Sequence, residues 1–78
     1  MHQYTVDGNW QRLPDGTPTM QRLIRLNGGM VVGRVLRGPA TSRFDAEVFS
    51  KGTWQHHGQF DSYDTALRAV LDTARLFR

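Results

Sequence analysis

The stretch from Gly58 to Phe77, GQFDSYDTALRAVLDTARLF, constrains this chain most. Tyr63, Leu67, Val70, Leu71, Ala74 and Phe77 recur at spacings of three and four, which places them on one face of a helix. Asp61 or Ser62 offers a side-chain oxygen to the free N–H groups of the first turn, and Asp64 puts negative charge where the helix dipole favours it. Asp64, Arg68 and Asp72 follow one another at four-residue spacing on the outer face, and Arg75 and Arg78 bring cations to the C-terminal end. A helix of this length is marginal alone in water, so its apolar stripe has to be buried against the chain that precedes it.

That chain reads as strands. Gln21 to Leu26 and Met30 to Arg37 flank Asn27-Gly28-Gly29, whose residues tolerate the positive φ of a tight turn. Gly38-Pro39-Ala40-Thr41-Ser42 ends the second strand. From Arg43 to Ser50, Phe44, Ala46 and Val48 point one way while Asp45, Glu47 and Phe49 point the other. Lys51-Gly52 turns the chain into Thr53 to Phe60, where alternation puts Trp54 and Phe60 on the inner face with His56 and Gly58 between them. The register of Met30 to Leu36 stays open, because Val31 and Val35 oppose Met30, Val32 and Leu36. Such a strand is either central or offers its second face for binding. Before Met20, turn signals at Asp7-Gly8, Pro14-Asp15-Gly16 and Pro18 break the chain. Tyr4–Val6 is expected as an edge strand, and Trp10–Leu13 either pairs with it as a hairpin across Asp7-Gly8-Asn9 or forms an arm over the core.

The fold class expected is α+β: an antiparallel meander of about four strands with one C-terminal helix packed across one face. A single domain, 1–78, then comprises an N-terminal arm or edge strand (1–19), the meander (20–60) and the helix (61–78).

The 78 residues contain no cysteine, which excludes a disulfide framework and thiolate metal sites. So small a domain has to rely on packing. Its apolar runs are too short to span a membrane, and MHQYTVDGNW lacks the pattern of a secretory signal, so a cytoplasmic setting is expected. His56 and His57, adjacent on a strand, face opposite ways and cannot chelate one ion, and His2 is remote. Ser42, Ser50 and Ser62 sit in turn or cap contexts, and Asp45 with Glu47 reads as a solvated strand face rather than an acid–base pair. The glycines of Asn27-Gly28-Gly29 and Gly33 precede no helix, so they are turn and packing residues rather than a phosphate loop. A non-enzymatic protein without cofactor or metal is expected.

Net charge is +3, from ten basic residues against seven acidic ones. Arg22, Arg25, Arg34, Arg37, Arg43 and Lys51, with Gln55 and His57, are the candidate binding residues on an outer sheet face. Arg and Gln on an antiparallel ribbon can read bases in a major groove, and Arg with aromatic residues also anchors protein interfaces. Asp45 and Glu47 on that face would repel phosphates.

Gly33-Arg34-Val35, Ala46-Glu47-Val48 and Gly58-Gln59-Phe60-Asp61-Ser62, followed by Ala66, Arg68 and Ala69, resemble the DNA-binding domains of plant ethylene-response factors. The layout is also similar to the arm-site-binding domains of phage tyrosine integrases. The resemblance covers just over half of the chain, Gly33 to Ala74. It implies three antiparallel strands under one helix, with Arg and Trp on the sheet contacting duplex DNA; Arg34 and Arg37 stand in comparable places. Asp45 and an inward Trp54 depart from that pattern. The expected function is nucleic-acid binding through the outer face. The alternative is a phage- or mobile-element-type interaction module that blocks a host protein complex, and a homodimer remains a further option.

Overall fold

A computed structural model describes residues 3–39 and 42–76; His2, Ala40, Thr41, Phe77 and Arg78, named above, lie outside the described residues. In chain order the elements are β1 (Tyr4–Val6), β2 (Gln11–Arg12), β3 (Met20–Leu26), β4 (Met30–Arg37), β5 (Phe44–Ser50), β6 (Thr53–Phe60) and α1 (Tyr63–Leu76). The sheet runs β1-β3-β4-β5-β6 with every pair antiparallel, and β2 also pairs with β3. The fold is therefore α+β, a meander under one helix, with more strands than the four expected.

Tyr4–Val6 is an edge strand as expected, at one end of the sheet, whereas the second N-terminal strand corrects the hairpin alternative. Strands β1 and β2 do not form a hairpin across Asp7-Gly8-Asn9. Tyr4 and Val6 pair with Leu26 and Ile24, and Gln11 and Arg12 pair with Gln21 and Met20, so the chain keeps one direction along β3. Together the two act as one edge strand interrupted between Val6 and Gln11. The reversal comes later, where Gly16 N–H donates to the Leu13 carbonyl and the Thr17 N–H donates to the Asp15 carboxylate. That last bond holds the exposed Asp15 carboxyl below its ordinary range.

The other turns follow their chemistry. Asn27 (φ 54°) and Gly28 (φ 74°) join β3 to β4, and Lys51 (φ 55°) and Gly52 (φ 79°) join β5 to β6.

Two bulges break the simple alternation. Ile24 pairs with Gly33 but Arg25 with Val31, which leaves Val32 as an extra residue in β4. Ala46 pairs with Gly58 but Glu47 with His56, which leaves His57 extra in β6. The second bulge needs Gly58, whose φ of 139° strains any residue with a Cβ. Each bulge swaps which residues face the helix on its two sides.

The helix lies across β4, β5 and β6. Ser62 caps it: its Oγ accepts the Thr65 N–H at 3.2 Å. Ala66, Val70 and Ala74 are fully or almost fully buried against Ile24, Val32, Val35, Ala46 and Val48. A Cβ on Gly33 would lie 2.3 Å from Val70 Cγ1 and 3.1 Å from the Glu47 carbonyl, so the missing side chain is what lets the helix seat on the sheet. Phe60, Leu67 and Leu71 pack around this core, but Trp54 does not belong to it. The His57 bulge turns Trp54 to the outer face and leaves Phe60 on the inner one.

Candidate binding surfaces

Directly opposed residues of antiparallel strands share a face, so the register sorts the side chains. The outer face carries Gln21, Leu23 and Arg25 of β3, Val31, Arg34 and Leu36 of β4, Asp45, Glu47 and Phe49 of β5, and Trp54 and His56 of β6. Leu23, Val31, Phe49 and Trp54, together with Pro14, Gln21 and Arg34, line a concavity of ≈ 260 Å³.

Arg34 is fixed in that concavity from three sides. Its Nε donates to Glu47 Oε1 at 2.9 Å, and Nη2 lies 2.8 Å from the same oxygen. Nη1 donates to Gln21 Oε1 at 3.1 Å, and the guanidinium carbon sits 4.0 Å from the centre of the Trp54 ring. The Arg34 and Glu47 side chains are only 15% and 16% exposed, so the pair is charge-neutral and largely withdrawn from water. Trp54 in turn meets Phe49 edge-on at 5.0 Å. Arg25, the other cation of this face, is held by Asp7 at 2.9 Å, and that hydrogen bond raises its pKa further. His56 lies 3.4 Å from Asp45.

The second surface is at the other side of the sheet, beside the start of the helix. Arg12, Met20, Arg37 and Phe44 form one row across β2 to β5, and Arg22 follows two residues after Met20 on the same face. Trp10 stands among them. Its ring centre is 5.8 Å from Tyr63, 6.3 Å from Phe44, 5.1 Å from the Arg37 guanidinium and 5.9 Å from that of Arg22. Arg22 also lies 5.2 Å from the centre of the Tyr63 ring, and its Nε donates to the Asp7 carbonyl. Among the described residues, no carboxylate forms an ion pair with Arg12, Arg22 or Arg37.

The structure thus divides the basic set expected on one face. Arg25 and Arg34 are on the outer face, whereas Arg22 and Arg37 are on the helix side, because residues three apart on a regular strand face opposite ways. Arg43 stands before β5, 3.3 Å from Asp61, and Lys51 is in the turn at the far end of β5. Gln55 pairs with buried Val48 and so lies on the helix side rather than the outer face. His57 occupies the bulge and is exposed. His56 is exposed on the outer face instead of in the inner layer. Reading residue types alone missed Arg12, Trp10, Tyr63 and Gln21. The helical stripe did mark Tyr63 as inward-facing, but nothing local announced that Trp10 would reach it.

Among the described residues, no group of three His, Cys, Asp or Glu side chains comes together in a way that could hold a metal ion. No helix is long and apolar enough to cross a membrane. Comparison with family models, curated proteins and solved structures returns no match for this chain.

Proposed function

We propose that this chain is a non-enzymatic binding domain that docks a protein partner on the outer face of its sheet. The observation carrying this reading is the state of Arg34, whose charge is neutralised by Glu47 and whose plane is stacked on Trp54. The face therefore offers apolar area and a rigid Arg–aromatic anchor rather than a positive field. Protein interfaces are enriched in such anchors. A partner of matching chemistry presents an apolar side chain to Leu23, Val31, Phe49 and Trp54, and a host protein complex in the cytoplasm fits the interaction-module reading.

Nucleic acid on the same face is the second reading. It draws on Arg34 and Trp54 standing together on the sheet, as the ethylene-response-factor resemblance implies. Against it, Asp45 and Glu47 would face the phosphates, and both outer-face arginines already have carboxylate partners.

The test is photo-crosslinking in cells from a reactive residue placed at Val31, compared with the same residue at Arg68 on the helix. A discrete protein adduct at Val31 that disappears with Phe49→Asp supports the reading. Adducts of equal yield from both positions, or adducts indifferent to Phe49→Asp, would sink it.

A further inference from the structure

The helix-side end of the sheet poses a separate question, because three cations gather there with no ion-pair partner among the described residues. Arg12 and Arg37 flank Met20 in one row, so their Cα atoms are roughly 10 Å apart, two strand spacings. Arg22 is the diagonal neighbour of Arg37, roughly 7–8 Å away. Like charges this close repel, and the faces of Trp10 and Tyr63 offset only part of that through cation–π attraction.

The nearby carboxylates are otherwise engaged or do not reach. Asp7 is held by Arg25 and Asp61 by Arg43, while Asp64 on the first helical turn pairs with none of the three. Arg12 and Arg37 are exposed, so an incoming anion meets them directly.

We infer that Arg12, Arg22 and Arg37 form a binding site for the phosphodiester groups of a nucleic-acid strand. Three guanidiniums spread over this span exceed what one small anion needs and suit a polymer with repeating charge. Trp10 and Tyr63 set aromatic rings beside the cations, the combination by which proteins hold unpaired bases next to a tracked backbone. Arg22 and Arg37 already stack on those rings, and an unpaired base, unlike the side chains of an acidic peptide, has the flat face needed to share or replace that stacking. This surface lies across the sheet from the protein-docking face, so either proposal can fail without the other.

The experiment measures binding of fluorescein-labelled single-stranded oligothymidylate, a mixed-sequence duplex and polyglutamate of equal charge, from about 50 to about 200 mM salt. The proteins are the wild type, Arg12→Gln, Arg37→Gln and, as a control, Lys51→Gln at the far end of the sheet. All three substitutions fall at exposed positions, so loss of fold does not confuse the result.

Expected is nucleic-acid binding whose log–log salt slope falls by about 0.7 for the single strand, or about 0.9 for the duplex, in Arg12→Gln and Arg37→Gln alike. Lys51→Gln leaves the slope unchanged. In a Trp54→Phe protein, where Trp10 is the only tryptophan, the fluorescence also changes on saturation. Absence of binding to either oligonucleotide at the lowest salt overturns the proposal. So does polyglutamate binding of equal strength, or a Lys51→Gln effect as large as that of Arg37→Gln.

Discussion

Arg34 and Arg37 stand three residues apart on β4, yet their surroundings have little in common. Arg34 is nearly withdrawn from water, bonded to Glu47 and Gln21 and stacked on Trp54. Arg37 is exposed beside Trp10, with Arg22 close by and, among the described residues, no carboxylate in reach. The pleat of the strand makes the first difference, and the residues that neighbouring strands place opposite make the rest. An arginine count therefore locates no binding surface. The positions of the counter-ions are what distinguish the two faces.

The largest expected effect tests the frame that holds both faces in place. Gly33→Ala forces a methyl group against Val70 and the Glu47 carbonyl, neither of which can withdraw without lifting the helix or bending β5. Overpacking of this kind costs about 3 kcal/mol. Urea denaturation measures it, and an unchanged midpoint would mean that the helix is not seated over Gly33.

Next comes the pair itself. Glu47→Ala leaves the Arg34 guanidinium largely buried without a counter-ion, at a cost of about 2 kcal/mol, below the range for fully buried pairs because some solvent still reaches it. Replacing both partners, Arg34→Met with Glu47→Leu, should return stability to within about 1 kcal/mol of the wild type. A double variant as unstable as the single one would show that the contribution of Glu47 is not the neutralising of Arg34.

The smallest effect belongs to the other face. Arg37→Ala is expected to shift stability by no more than about 0.5 kcal/mol, since the side chain is exposed and lacks an ion-pair partner among the described residues. A cost equal to that of Glu47→Ala would abolish the contrast between the two arginines.

Much of this architecture could be read from the sequence, where a local rule sufficed. The three-and-four spacing of Tyr63, Leu67, Val70 and Ala74 marked the helix, and Asn27-Gly28-Gly29 and Lys51-Gly52 marked two turns. Phe44, Ala46 and Val48 kept their alternation because β5 carries no extra residue. The face of Trp54 was misread because one additional residue, His57, reverses the alternation between it and Phe60. Val32 does the same inside β4, which explains why neither register of Met30–Leu36 accounted for all its apolar residues. An arm carrying Trp10 over the core is one of two readings its segment allows, but the partners of Trp10 are not legible there, because the cluster joins β3, β4, β5 and the helix and nothing in the local sequence records such distant pairings. Gly33 was recognisable as a packing glycine, though not as the seat of Val70.

The contrast between a neutralised face and an uncompensated basic end can be measured on the two tryptophans separately. Trp54→Phe leaves Trp10 as the reporter beside Arg22 and Arg37, and Trp10→Phe leaves Trp54 as the reporter beside the Arg34–Glu47 pair. Each is quenched in turn with iodide and with caesium, using neutral acrylamide to correct for how far each ring is exposed. A local positive field concentrates the anion and repels the cation, and added salt screens it. The prediction is a corrected iodide-to-caesium ratio well above one for Trp10, declining as salt is added, against a ratio near one for Trp54. Equal ratios for the two rings, or a larger ratio for Trp54, would contradict the division of charge between the faces.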